Sequence, residues 1–234
     1  MALKNLSPIK TIAIIDCATD EPSIACYNRL LKKGIPCSFH SASEFGASTL
    51  TNLDDFFGAI ILGSMSHVHE DLPWHNELAG WAISALKKNF PILGICFGHQ
   101  LMCHHLGAKV VINKEQNPEQ KGSRVTSFKR DFNNIKESDT KEFIISHSYR
   151  VDDLPEDFIE IASSGIFKND IVQHKSLPFV GIQPHPEASD HFIKTDFITN
   201  PLPLENAKKS KADGLEFIKN WLDLYCKDAF KNSK

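Results

Sequence analysis

One short segment of this chain, residues 91–100, constrains the local fold more than any other. In it an apolar run leads directly into the pattern Gly-x-Cys-x-Gly. The pattern is the cysteine counterpart of the nucleophile elbow, in which a buried strand ends, the backbone turns sharply and a helix begins. Gly94 and Gly98 allow the close backbone approach that this turn needs. Cys96 would point outward at the N-terminus of the helix, which favours the thiolate over the thiol. The segment predicts a strand–turn–helix unit with a nucleophilic cysteine at its corner.

The first half of the chain alternates apolar runs with helical patterns across short connections. Strands are predicted at 11–15, 35–40, 57–62 and 91–95, and helices at 20–34, 74–89 and 98–106. This order favours an α/β fold, a doubly wound, mostly parallel open sheet with helices on both faces. Active sites of such sheets lie at the carboxyl ends of the strands, where we place Gly63 and Cys96.

The second half of the chain has a different pattern. Short strand candidates at 110–112, 123–128, 142–146, 158–162, 171–174 and 179–183 predict a smaller antiparallel or mixed sheet region. Residues 188–211 have no clear period and are expected to form a variable loop, followed by an amphipathic C-terminal helix at 212–226. With 234 residues, we expect a single domain whose core spans about residues 10–187.

Charge and cysteine usage exclude several classes of partner. The net charge is −3, and the nearest basic cluster, residues 208–211, is interpreted as a solvated loop or helix start. We therefore expect neither nucleic acid nor a membrane surface as a partner. No apolar run reaches the length of a signal peptide core or a membrane span. The six cysteines form no CxxC pair, which predicts reduced thiols and a cytoplasmic location.

Two histidine clusters resemble metal sites in composition only. His67 and His69 are interpreted as part of an exposed loop. His104 and His105 are neighbours on a predicted helix, where adjacent side chains diverge by about 100°. Cys103 lies on the same helix and is predicted to pack rather than to react. We expect no metal and no cofactor.

A nucleophilic cysteine needs a base and usually a third group that orients the base. The best candidates are His185 and Glu187, which follow the predicted strand at 179–183. Residues two apart on an extended backbone point to the same side, so the carboxylate can hold the imidazole in one tautomer. By itself this pattern is compatible with a His-Pro turn at a strand end. Together with the elbow around Cys96 it favours a catalytic triad.

The sequence Gly-Ile-Cys-Phe-Gly-His-Gln at 94–100, combined with His-Pro-Glu at 185–187, resembles the class I glutamine amidotransferases of the triad type. The resemblance covers about residues 10–187. It implies that Cys96 is the nucleophile, His185 the general base and acid, and Glu187 the group that orients the imidazole. Residues 71–74 and 94–101 further resemble stand-alone proteins similar to the glutaminase domain of GMP synthase.

The same resemblance implies an oxyanion hole made of two backbone N–H groups, those of Ser64 and Phe97. Many relatives have Gly-Gly-Pro where this chain has Gly63-Ser64-Met65. A side chain at position 64 restricts the conformations that this loop can adopt. The resemblance therefore leaves open whether the hole is preformed.

Residues that bind the substrate are also implied by position in the family pattern. They are Gly63, Gln100, Ser146, Ser148 and Tyr149. The sequence Ser-His-Ser-Tyr at 146–149 matches a loop whose backbone binds the α-carboxylate end of glutamine. It departs from the commonest form, Ser-His-Gly-Asp, at its last two positions, which leaves recognition of that end open.

Three functions remain open from the sequence. The first is hydrolysis of the glutamine side-chain amide through a γ-glutamyl thioester, with any ammonia acceptor on another chain. The second is a γ-glutamyl peptidase or hydrolase that acts on other γ-glutamyl amides with the same triad. The third is a non-catalytic binding module on the same fold, against which the intact Cys96, His185 and Glu187 argue.

Overall fold

A computed structural model describes residues 10–113, 120–165 and 167–227 of the chain. Its strands are β1 Thr11–Asp16, β2 Cys37–Ser41, β3 Phe56–Ile61, β4 Ile92–Ile95, β5 Lys109–Ile112, β6 Gln120–Phe128, β7 Thr140–His147, β8 Tyr149–Asp153, β9 Phe158–Ser163, β10 Ile171–His174 and β11 Phe179–Ile182. Its helices are α1 Ile24–Lys32, α2 Ala42–Phe45, α3 Pro73–Leu86, α4 Phe97–His105, α5 Asp190–Asp196 and α6 Leu204–Tyr225. In these ranges no helix combines the length and apolar character needed to cross a membrane.

One mixed sheet of nine strands organises the molecule, in the order β2-β1-β3-β4-β11-β10-β9-β6-β7. The pairs from β2 to β11 are parallel. From β11 to β7 the pairs are antiparallel. The predicted α/β fold is confirmed, and the antiparallel strands continue the main sheet. Only β5 and β8 form a separate antiparallel pair within the described ranges.

Helices cover both faces of the parallel half because its strands are apolar on both sides. Ile15 and its neighbours pack in a cluster with Leu78 of α3 and with residues of α4. Ile14, the preceding residue of β1, packs on the opposite face in a cluster with Leu30 of α1 and Trp221 of α6. All five of these side chains are fully buried. Burial on both faces is what a doubly wound sheet requires.

The first helix begins four residues later than predicted, at Ile24 instead of position 20. The buried carboxylate of Asp16 is the cause, because it accepts hydrogen bonds from Ala18 N at 3.3 Å and Ser23 N at 3.0 Å. These bonds anchor both ends of the segment 18–23 to the end of β1. Residues 18–23 therefore form a loop at the carboxyl end of β1.

The prediction of a loop over 188–211 is wrong for most of that segment. Helix α5 occupies Asp190–Asp196, and α6 begins at Leu204, so residues 204–211 are helical. The Ser189 hydroxyl starts α5 by accepting from Phe192 N at 3.0 Å. In the first two turns of α6 only Ala207 and Ser210 are buried, which explains why no apolar period is visible there.

Candidate active site

The nucleophile elbow forms as the glycine spacing predicts. Cys96 has φ 49° and ψ −101°, and its N–H donates to Ile182 O at 2.9 Å, between β4 and β11. A Cβ on Gly98 would lie 2.5 Å from Ile61 O, and a Cβ on Gly94 would lie 2.6 Å from Gly98 O. Since real Cβ atoms do not approach backbone this closely, both positions require glycine.

The structure brings the three predicted triad residues together in the interior. His185 Nδ1 lies 2.9 Å from Glu187 Oε1. The side chains of Cys96, His185 and Glu187 are between 3% and 5% exposed. The backbone of His185 is held by its N–H, which donates to Ile144 O of β7 at 2.8 Å. Gly63 contacts the group from the other side, since a Cβ there would lie 2.9 Å from His185 Cε1.

The electrostatics of this group favour a protonated imidazole. Burial by itself lowers the pKa of His185, but the Glu187 carboxylate and the hydrogen-bonded Cys96 raise it, and the net pKa lies well above the usual value. An imidazolium beside a cysteine stabilises the thiolate and can protonate a leaving amine.

The sulfur of Cys96 also contacts groups outside the triad. It lies 3.7 Å from Ser146 O, and Gln183 Nε2 donates to it at 3.6 Å. The amide of Gln183 is oriented in turn by Gln100 Nε2, which donates to Gln183 Oε1 at 3.1 Å and to Tyr149 O at 2.9 Å. Sequence reasoning missed Gln183. The available signal was an amide residue directly after a buried strand and next to the His-Pro-Glu segment.

The two predicted oxyanion donors are available to bind a ligand. Within the described ranges, the backbone N–H groups of Ser64 and Phe97 donate to no protein acceptor. Phe97 is the first residue of α4, where a free N–H is normal. The Ser64 loop is braced, because Ser64 Oγ accepts from Ser66 N at 3.0 Å and Ser66 Oγ lies 3.0 Å from His75 Nε2. The His75 ring packs 5.0 Å from the Phe97 ring. His75 therefore contacts both the Ser64 loop and the first residue of α4.

A cavity of about 340 Å³ opens onto the triad. The predicted site residues that line it are Gly63, Ser64, Cys96, Ser146, His185 and Glu187. Its outer wall consists of residues 18–21 with Ser23, together with Phe192, Thr195 and Asp196 from the α5 segment. Part of the segment predicted as a loop, 188–211, is therefore the helix α5, which lines one side of the cavity.

Three predicted substrate-binding residues lie elsewhere. Gln100 points into the interior with its amide N–H groups bonded to protein oxygens, and it does not line the cavity. Ser148 and Tyr149 do not line it either, and the Tyr149 ring stacks 4.7 Å from His67. Their roles in binding stay predictions.

One known family matches most of this chain. The family model described as "Glutamine amidotransferase class-I" matches residues 19–202, which include the elbow and the His-Pro-Glu segment. The chain belongs to the class I glutamine amidotransferases.

The chain is similar in sequence to glutamine-hydrolysing GMP synthases. It is 29% identical to that of Desulfotalea psychrophila over 143 residues, which cover 61% of this chain and 27% of the relative. It is 30% identical over 152 residues to a glutamine-hydrolysing GMP synthase subunit from Thermoplasma acidophilum, with 64% and 72% of the two chains covered. The chain thus spans about a quarter of the first relative's length.

Solved structures show the same fold. A glutamine amidotransferase from Methylobacillus flagellatus superposes with a TM-score of 0.76 at 16% identity, over 92% of this chain and 95% of the other.

A second cysteine of the amidotransferase, Cys26, lines the same cavity. Burial and the nearby Glu187 raise its pKa to about 11. Its thiol therefore stays protonated at neutral pH and does not compete with Cys96 as nucleophile.

Proposed function

We propose that this protein hydrolyses the side-chain amide of glutamine through a γ-glutamyl thioester on Cys96. The observation that carries the proposal is the buried His185–Glu187 pair, 2.9 Å apart, next to a cysteine on a nucleophile elbow. A non-catalytic module would have no need for a strained cysteine beside an imidazolium.

The reaction follows from the placement of these groups. The Cys96 thiolate attacks the amide carbon, and the resulting oxyanion accepts hydrogen bonds from the N–H groups of Ser64 and Phe97. His185 gives its proton to the leaving nitrogen, so the C–N bond breaks and ammonia departs. His185 then takes a proton from water, which attacks the thioester and releases glutamate. Glu187 holds the imidazole in orientation throughout.

The cavity supports a second candidate function. It continues past the triad to the 18–23 loop and α5, so a substituent on the leaving nitrogen has space there. In this alternative the substrate is a larger γ-glutamyl amide, and the same thioester forms. If the leaving amine is ammonia, we propose that it passes to an acceptor on another chain, since one relative is named as one subunit of GMP synthase. The six free cysteines favour a cytoplasmic location.

Labelling with a glutamine-derived chloroketone tests the nucleophile. We expect peptide mapping to find the label on Cys96, with Cys26 unmodified because its thiol is protonated. Cys96→Ala should lose labelling and ammonia release while its melting temperature stays near that of the wild type. A label on another cysteine in the wild type would contradict the assignment.

A substrate panel separates the two candidates. Glutamine, γ-glutamyl dipeptides and γ-glutamyl alkylamides are compared for turnover, with Cys96→Ala as the blank. Turnover of glutamine alone supports the glutaminase, and faster turnover of the larger amides supports the hydrolase. Absence of turnover on every substrate, together with absence of Cys96 labelling, would contradict both.

A further inference from the structure

A second large cavity lies on the face of the molecule where α1, α5 and α6 meet. Its volume is about 770 Å³. We call it the basic groove and define it by its charged lining residues, which are Arg29, Lys32, Lys33, Asp190, Lys208 and Lys211. Five of these six are cations in a chain whose net charge is −3. The groove is therefore positively charged, although the protein as a whole is negatively charged.

The positive charges come from separate elements that line one cavity. Arg29 and Lys32 belong to α1, and Lys208 and Lys211 belong to α6. Lys211 is paired with the carboxylate of Asp190. Lys32, Lys33 and Lys208 have no carboxylate within ion-pair distance in the described part of the chain. Like charges held together in a concavity repel one another, and a polyvalent anion between them relieves that repulsion.

One of the cations is held rigidly in place. The Arg29 guanidinium donates to Pro186 O at 2.8 Å and to Lys211 O at 2.5 Å, and these bonds join α1 to α6. Pro186 lies between the two triad residues that follow β11, so the guanidinium also touches the catalytic segment. A fixed cation loses less conformational entropy on binding a ligand than a free side chain does.

We propose that the basic groove binds a small molecule through a phosphate or pyrophosphate group. Lysine and arginine side chains are the usual partners of phosphate oxygens. Among the described residues that line the groove there is no Phe, Tyr or Trp, and His191 is the one ring on which a nucleobase could stack. The phosphate is therefore the recognised part, and the remainder of the ligand contributes little.

Calorimetric titration with inorganic pyrophosphate tests the proposal on the full chain. The total ionic strength is kept at about 0.15 M with sodium chloride, where bulk charges are screened beyond about 8 Å. We expect saturable binding to the wild type. Lys32→Glu in α1 and Lys208→Glu in α6 should each weaken it about tenfold or more, since a reversed charge converts attraction into repulsion.

Lys219→Glu is the matched control, because Lys219 is an exposed lysine of α6 that does not line the groove. It should bind pyrophosphate as the wild type does. All three positions are exposed, so the variants should melt near the wild-type temperature, which a thermal scan checks. Absence of binding, or equal weakening by Lys219→Glu, would overturn the proposal.

Three further ligands define which chemical group is recognised. Ribose 5-phosphate and adenosine 5′-monophosphate should bind with similar affinity, since only the phosphate contacts the lysines. Tight binding of the nucleotide without binding of the sugar phosphate would overturn the assignment to phosphate. Binding of hexaglutamate in the absence of pyrophosphate binding would overturn it as well and assign the groove to an acidic protein segment.

Discussion

At the scale of single residues, the contact that the sequence does not reveal is the one between Gln183 and the nucleophile. Gln183 Nε2 donates to the sulfur at 3.6 Å, and Gln100 fixes the orientation of that amide. A hydrogen-bond donor stabilises negative charge on its acceptor, so Gln183 is placed to assist reactions in which the sulfur acts as nucleophile. Gln100, which the family pattern assigns to substrate, contacts Gln183 in this structure.

Replacing Gln183 should slow the reactions of the Cys96 sulfur. In Gln183→Leu we expect alkylation of Cys96 by iodoacetamide at neutral pH, and kcat/KM for glutamine, to fall about tenfold, the equivalent of one charge-assisted hydrogen bond. Gln100→Leu should give a smaller loss of the same kind. A drop in melting temperature with an unchanged alkylation rate would show that Gln183 is only structural.

The raised pKa of His185 makes stability depend on pH. Because its pKa is higher in the folded protein than in the unfolded chain, its contribution to stability is complete below the unfolded value and is lost as the pH rises through the folded value. Glu187 is the largest of the groups that raise this pKa. We therefore expect the free energy of unfolding to decline between about pH 6.5 and alkaline pH in the wild type, and to decline less in Glu187→Gln. Urea titrations across that range measure both slopes, and parallel slopes would contradict the prediction.

At the scale of secondary-structure elements, the strand–turn–helix unit was predictable because its constraints are local. Two glycines and a cysteine at fixed spacing define the turn, and the structure places them as expected. Helices α5 and the start of α6 were missed because polar helices carry no apolar period. Strand β8 was missed because its formation depends on pairing with β5, about forty residues earlier in the chain.

The elbow can be tested by adding one methyl group. In Gly98→Ala the new Cβ would meet Ile61 O at 2.5 Å, so β3 and α4 must move apart. We expect a loss of about 2–4 kcal/mol in the free energy of unfolding, together with most of the activity. Gly80→Ala in α3 is the control, since nothing lies within 4 Å of its new Cβ. It should be neutral or slightly stabilising in urea denaturation, because alanine favours helix.

At the scale of the whole molecule, a buried ion pair ties the antiparallel half of the sheet to the active site. Arg124 of β6 bonds Asp170 Oδ1 at 2.6 Å, with side chains 10% and 1% exposed. The backbone oxygen of Asp170 accepts from Gln183 N at 2.8 Å, at the end of β11. The two halves of the sheet therefore meet at the residue that contacts the nucleophile.

Breaking this pair should cost much more than breaking a surface pair. Asp170→Ala should lower the free energy of unfolding by about 3–5 kcal/mol, because it removes the carboxylate that compensates a buried guanidinium. Lys136→Ala, which removes an ion pair with Asp131 whose side chains are 63% and 58% exposed, should leave the free energy of unfolding almost unchanged, because water screens an exposed pair. Denaturant titration measures the free energy of unfolding of both variants. Equal losses would show that the buried Arg124–Asp170 pair contributes no more to stability than the exposed pair does.

The sequence by itself determined the parts of this protein that depend on neighbouring residues. These are the alternation that predicts the parallel sheet, the elbow at Cys96, and the pairing of His185 with Glu187 across two positions. Only the tertiary structure decided which groups from distant segments meet. It placed Gln183 on the sulfur, turned Gln100 away from the cavity, and brought lysines of α6 to the same groove as Arg29 and Lys32 of α1. Such contacts depend on how β4 and β11, and α1 and α6, pack side by side, and no local pattern records that packing.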